Sequence, residues 1–339
     1  MYLIEEAATV TDRKTTWSQL ATFVELADTG SVHAAARRLT VTESAVSASL
    51  ASLHRAIGVP LFEREGRGLR LTPAGLSYAG YARRILGLLD EARLAALDEH
   101  EPGTGTLRVA AVTSAGEQLL PQLVTGFRAS RPGVGLELEV GTKAQVWSHL
   151  LEHRADLAIA GRPPADSDLV TRAVRRHQLV VVAAPELAAR IAATRGDVRN
   201  QTWLLRAEGS GTRDSTEALL ESMQADPPTL TLGSNGAVLS GAAAGLGVAL
   251  VSSDAAGQAL ASGELVVVPV SGTPLDRPYH LVTHPRVSRL VQEFLRYVLV
   301  DQAGADEAGD GDRFRPVGRS RRVPRPLPSA GEGSAGARV

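Results

Sequence analysis

Apolar residues recur at helical spacing through Leu20, Phe23, Val24 and Ala27, a stripe that stops at Gly30 and predicts a first helix. Ser31 suits the N-cap of a second, shorter helix carrying Ala34, Ala35, Ala36 and Leu39, small residues that let another helix approach closely. Thr40-Val41-Thr42 reads as a turn. From Glu43 the apolar positions are Val46, Leu50, Leu53 and Ile57, which leaves Glu43, Ser44, Ser47, Ala48 and Ala51 on the outward side of a third helix. After Gly58-Val59-Pro60 the period changes, and Leu61, Phe62, Arg64, Leu69 and Leu71 flank a Gly66-Arg67-Gly68 turn. Three short helices followed by a hairpin with arginines at its tip predict a winged helix-turn-helix over residues 17–75.

A long amphipathic stretch follows over 76–101, with Tyr81, Ile85, Leu88, Leu89, Ala92 and Ala96 along one side. At about 1.5 Å per residue such a helix reaches roughly 40 Å, more than one domain's core can cover, so its apolar stripe predicts a dimer. Pro102-Gly103-Thr104-Gly105 then breaks the chain. From residue 106 to 300 short apolar runs (Leu107 to Val112, Leu136 to Val140, Leu157 to Ala160, Leu179 to Ala184 and others) alternate with helical stretches, which predicts a largely parallel sheet covered on both faces.

Composition narrows the class. The 339 residues are 44% hydrophobic, enough for two or three cores. There is no cysteine, so disulfides, thiolate metal sites and cysteine nucleophiles are excluded. No run of about 18 apolar residues suggests a membrane span, and the start, with Glu5, Glu6 and Asp12, lacks the pattern of a signal peptide; a cytoplasmic location is expected. The net charge of −1 conceals a block between Ser31 and Arg84 with eight arginines against three acids, the footprint of a module that binds a polyanion.

Leu20-x-x-Phe23, Gly30-Ser31-x-x-Ala34-Ala35-x-x-Leu39, Val46-Ser47, Leu50-x-x-Leu53, Gly58-x-x-Leu61-Phe62-x-Arg64 and Leu71-Thr72-x-x-Gly75 together resemble the signature of the LysR-type transcriptional regulators. The resemblance implies an α/β chain with an all-α winged helix-turn-helix at its N-terminus and an effector domain of two Rossmann-like lobes, similar to type-II periplasmic binding proteins. Lobe one is then expected at about 106–180 and 270–300 and lobe two at about 181–269, with crossings near Leu179 to Pro185 and Val268 to Pro278. The same analogy assigns DNA contacts to Ser31, Thr42, Glu43, Ser44, Ser47, Ala48, Arg64 and Arg67, and implies dimers that assemble into tetramers. Glu43 stands where the family usually has glutamine, and Ala48 offers no hydrogen bond where relatives often carry arginine. The run Gly209-Ser210-Gly211-Thr212-Arg213, with Gly161-Arg162-Pro163-Pro164, is similar to the CbbR- and CysL-like branch, which includes regulators of carbon fixation and of sulfur and nitrogen assimilation.

Thr113, Ser114, Thr142, Ser210 and Thr212 all fall where a predicted strand gives way to a helix, the place where open α/β sheets bind ligands. Free backbone amides at helix starts favour an anion, and Arg213, with Arg162 or Arg206, would complete its neutralisation. Capping alone also accounts for any single Ser or Thr at such a position. The expected function is sequence-specific binding of double-stranded DNA modulated by a small anionic effector, without cofactor, metal or catalysis. A transport-type solute-binding protein explains the second half alone. His149-Leu150-Leu151-Glu152-His153 imitates the pattern of inverted zinc proteases but lies on an ordinary connecting helix, and neither a G-x-S-x-G elbow nor a Walker sequence is present. Residues 1–16 and 301–339 read as disordered, the latter ending in a run with Arg319, Arg321, Arg322 and Arg325.

Overall fold

Thr16 opens the first helix with a reciprocal capping box: its hydroxyl accepts from the Gln19 amide while the Gln19 side chain accepts from the Thr16 amide. The computed structural model describes residues 15–66, 68–100, 105–193, 198–300 and 313–317. Helices α1 (Trp17–Thr29), α2 (Val32–Leu39) and α3 (Glu43–Ile57) pack around Phe23, whose ring meets Phe62 and, edge-on, Tyr78. Gly30 ends α1 at φ 62°, a conformation that costs glycine nothing, and its carbonyl accepts from the Leu69 amide. That bond ties the wing, β1 (Phe62–Glu65) and β2 (Gly68–Leu71), to the turn before α2. Pro73 opens the 28-residue helix α4 (Pro73–His100), where its missing N–H is no loss.

The sensor begins with β3 (Gly105–Val112), α5 (Thr113–Gln118), α6 (Leu120–Ser130), β4 (Val134–Gly141), α7 (Lys143–Leu151), β5 (Leu157–Ala160) and β6 (Val170–Arg175). The chain then crosses to a second lobe of β7 (Gln178–Ala183), α8 (Pro185–Ala193), β8 (Trp203–Leu205), α9 (Gly211–Ser222), β9 (Thr229–Thr231) and α10 (Asn235–Ala243). That lobe continues through β10 (Ala249–Ser252), α11 (Ser253–Ser262), β11 (Val266–Val267) and β12 (Leu275–Asp276). It returns to the first lobe for β13 (Tyr279–Thr283), α12 (Arg289–Leu299) and β14 (Phe314–Pro316). Lobe one is a six-stranded sheet in the order β14-β6-β13-β5-β3-β4; in lobe two β7 pairs with β10, β11 and β12, and β8 with β9. Every residue of β5 is buried because both faces of that sheet are covered, on one side by Phe127 of α6 and Phe294 of α12 and on the other by Val146 and Leu150 of α7.

Four expectations need correction. The sheets are mixed, not largely parallel: β3 runs parallel to β4 and β5, but β13 is antiparallel to β5 and β6, and β7 is antiparallel to its partners. The cause is the double crossing, since β13 re-enters lobe one from the end at which β3, β5 and β6 finish. The first crossing falls at Arg176-His177, so Leu179 and Val180 belong to lobe two; the second falls at Arg277-Pro278, within the expected stretch, but lobe two runs on past residue 269 to include Leu275. The first was misplaced because β6, with Thr171, Arg172 and Arg175, has no apolar alternation to announce it. Finally, part of the tail expected to be disordered is a strand: β14 pairs with β6 and buries Phe314 in the lobe-one core. The remaining tail positions, including Arg319, Arg321, Arg322 and Arg325, and residues 1–14 lie outside the described residues, as does Arg67.

Candidate functional site

At the DNA-binding end, Val46 and Leu53 are buried and turn α3 so that Glu43, Ser44, Ser47, Ala48 and Ala51 face outward. Thr42 caps α3 by accepting from the Ala45 amide and lies 2.9 Å from the Ser44 hydroxyl. Ser31 caps α2 in the same way through the Ala34 amide, so both hydroxyls already hold a helix start. Glu43 contacts His33 Nδ1 at 2.8 Å, with both side chains exposed. On the wing, Arg70 is held by Glu63 at 2.6 Å and Glu65 at 3.5 Å, while Arg64 is exposed and makes no ion pair among the described residues. The outward face of α3 and the wing are thus polar, lightly self-neutralised and contiguous with the basic segment.

Between the sensor lobes lies a cavity of about 560 Å³. Thr113, Ser114, Thr142, Arg162, Ser210 and Thr212 line it together, Arg162 from the loop after β5 and the others from the junctions of three strand–helix units. Arg213 does not: the turn of α9 carries it away from the gap, and Glu217 one turn on accepts its Nε at 2.7 Å. Thr142 is occupied by a capping box with Gln145, whereas the Ser210 side chain makes no capping bond although it stands at the N-cap of α9. Of the two, only Ser210 keeps its hydroxyl for a ligand.

Residues that sequence reasoning passed over complete the lining, and several come from the crossings. Lys143, His177, Asp214, Asp276, Arg277, Tyr279 and His280 are there. His177 and Arg277 clasp the two crossings to each other, the Arg277 amide donating to the His177 carbonyl at 2.8 Å and His177 Nδ1 to the Arg277 carbonyl at 2.9 Å. Burial pushes the His177 imidazole down and the Tyr279 phenol up to about 12. No motif announces these residues; only the crossing predicted to end at Pro278 pointed to their neighbourhood.

The charges do not balance. Lys143, Arg162, Arg206 and Arg277 face Asp214 and Asp276, and none of the four cations makes an ion pair among the described residues. Arg206 is the extreme case. It is 9% exposed, its Nε has no hydrogen-bond partner among the described residues, and one terminal nitrogen donates to the neutral side chain of Asn235. Asn235 in turn donates to Glu117 of lobe one at 2.7 Å, so that carboxylate is one side chain removed from Arg206. Burial holds the Arg206 guanidinium below its ordinary value, with Glu117 acting in the opposite sense.

Residues 17–76 match the bacterial regulatory helix-turn-helix protein of the lysR family, and residues 100–301 match the LysR substrate binding domain. The chain is 35% identical over 285 residues to the HTH-type transcriptional regulator CfxR of Cupriavidus necator, covering 82% of this chain and 88% of the relative. It is 31% identical over 330 residues to the regulator CbbR of Rhizobium meliloti, covering 94% and 98%. Among solved structures, the Synechocystis CcmR regulatory domain in complex with 2-PG shares 28% identity at a TM-score of 0.52, covering 57% of this chain and 95% of that one.

Proposed function

We propose that this chain, which belongs to the LysR family of transcriptional regulators and carries its DNA-binding and effector-binding domains, takes a small phosphorylated or carboxylated anion between its two lobes. The observation that carries the reading is Arg206: a buried guanidinium whose only direct side-chain partner among the described residues is a neutral amide is costly unless a negative group shares its site. Arg277, Lys143 and Arg162 surround the same cavity, and the uncapped Ser210 with the first amides of α9 offers neutral donors. Binding there draws the lobes together and shifts the population of regulator conformations on DNA.

At the other end, Glu43, Ser44, Ser47 and Ala48 enter the major groove and Glu43 accepts from cytosine N4, with Ser31 and Thr42 at the rim and Arg64 and Arg67 on phosphate. Tyr81, Ile85 and Leu88 of α4 are exposed, and a second copy of the helix covers them in the dimer from which a tetramer is built. Among the described residues no helix is long and apolar enough to cross a membrane, and the chain acts in the compartment that holds the DNA. A transport-type binding protein has no use for residues 17–76.

Titration calorimetry on the full chain, with 2-PG, inorganic phosphate and uncharged glycerol as probes, tests the cleft. Saturable heat is expected from the anions alone. A response to glycerol with silence from both anions overturns the assignment. An operator selected from random DNA, footprinted with and without the binding anion, then tests regulation.

A further inference from the structure

Helix α4 has three faces, and two of them meet different parts of the chain. Gly75, Ala79 and Ala82 are buried against the DNA-binding head, and Tyr81, Ile85 and Leu88 are exposed. Arg83, Gly87 and Glu91, four residues apart and therefore stacked on one side, meet the far end of α7 in lobe one. Glu91 lies 2.6 Å from His153 Nδ1, and Arg83 spans Asp28 of the head at 2.5 Å and Glu152 of the sensor at 3.7 Å. Asp90 reaches Arg108 at 3.0 Å, which Asp156 holds from the other side at 2.8 Å. Gly87 permits the approach: a Cβ there would overlap the Glu152 carbonyl oxygen and come within 2.5 Å of the His153 Cβ.

The sensor side is built for this contact. The His153 ring stacks on His284 at 3.8 Å, and His284 Nε2 donates to the Leu150 carbonyl at 2.6 Å. His153 itself stands at φ 56°, a left-handed conformation that favours glycine and that few other residues adopt. The protease-like pattern His149 to His153 thus has a use: Glu152 bonds Ser148 and Arg83, and His153 bonds Glu91. Its location adds a consequence. Thr142 and Lys143, at the start of α7, line the effector cavity, and Glu152-His153 close its other end, so one short helix runs from the cleft to this contact.

We propose that Glu152-His153 is a socket that clamps the linker helix at Arg83, Gly87 and Glu91, and that α7 transmits lobe movement through it to the DNA-binding heads. The clamp stands on its own contacts; its link to the cleft rests on the effector reading above.

The test uses full-length variants. Gly87→Ala improves helix propensity yet forces the socket open, Gly80→Ala on the same helix meets nothing within 4 Å, and His153→Gly relieves the backbone while removing the ring. Hydrogen exchange of α4 amides is expected to accelerate at least about fivefold in Gly87→Ala and His153→Gly but not in Gly80→Ala, with affinity for a selected operator shifted by a similar factor. Because the chain lacks cysteine, Glu91→Cys with His153→Cys supplies the only thiols, and dibromobimane is expected to bridge them within one chain. Bridging between two chains, or wild-type exchange and operator affinity in both clamp variants, overturns the proposal. With 2-PG, both clamp variants should bind the anion as wild type does while their operator affinity no longer responds to it. A response equal to wild type refutes transmission, whereas absence of 2-PG binding to wild type counts against the effector reading and leaves exchange and operator affinity to decide the clamp.

Discussion

Replacing Arg206 by methionine separates what the residue does for the ligand from what it does for the fold. Native Arg206 is 9% exposed and its guanidinium has no direct counter-ion among the described residues, so without a ligand it is a desolvated charge whose removal leaves little unsatisfied. Exchanging buried ionic groups for apolar ones of similar size is commonly neutral or stabilising by about 1–4 kcal/mol. The loss here is one hydrogen bond to Asn235, a half-buried amide that water can reach, worth about 1 kcal/mol. The net is therefore expected to fall between about −1 and +3 kcal/mol, a Tm change between about −4 and +12 °C at roughly 2–4 °C per kcal/mol for a domain of this size. Anion binding should suffer far more. Truncating one side of a buried, hydrogen-bonded charge pair costs about 2–5 kcal/mol, which at about 1.4 kcal/mol per decade is roughly 30-fold to a few thousand-fold in Kd. The exposed Lys143 and Arg162 provide the comparison, since exposed pairs contribute about 0.2–1 kcal/mol and their alanine variants should lose less than about fivefold. Calorimetry with 2-PG and phosphate, beside thermal unfolding of the same preparations, reads both quantities. If Arg206→Met binds within threefold of wild type, or melts well below it, the guanidinium is a structural element and the reasoning fails.

Other sites give further tests. Thr142→Ala removes a capping box and should cost about 0.5–2 kcal/mol of stability, whereas Ser210→Ala removes no cap and should weaken anion binding alone; paired denaturation and calorimetry distinguish them. Arg64→Ala is expected to weaken operator binding irrespective of sequence and reduce the slope of log affinity against log salt by about one, and an unchanged slope removes it from the phosphate contacts. Glu43→Gln exchanges an acceptor for a donor–acceptor pair and loses the charge facing His33, so operators selected by the two proteins should differ at one base pair per half-site; identical operators mean that Glu43 serves only His33. Glu293 is held below the usual carboxylate range, first by the hydrogen bond from Arg131. A depressed carboxyl contributes stability that is complete above its unfolded value and lost as pH falls through the folded one, so Glu293→Gln should match wild type least near neutrality and converge with it in acid.

The sequence alone determined what depends on neighbours along the chain. The three head helices, their caps at Ser31 and Thr42, and the outward set on α3 follow from a period of 3.6 and from hydroxyls placed before apolar runs, which are local physics. The strand–helix junctions at Thr113, Thr142 and Ser210 were legible for the same reason; Thr113 and Thr142 converge because the parallel strands β3 and β4 end on the same side of one sheet, whereas Ser210, after β8 of lobe two, meets them only because the two lobes face each other across the cavity. Tertiary structure decided everything set by distant pairings. It turned Arg213 away toward Glu217, put the two crossings of the chain and hence His177 and Arg277 into the cleft, and gave Phe314 a sheet edge to join. It also converted a protease-like pattern into a socket for the linker helix, since only folding brings His153 to Glu91 across 62 positions. Such contacts leave no period in the sequence, because each depends on where two segments meet and not on how either is patterned.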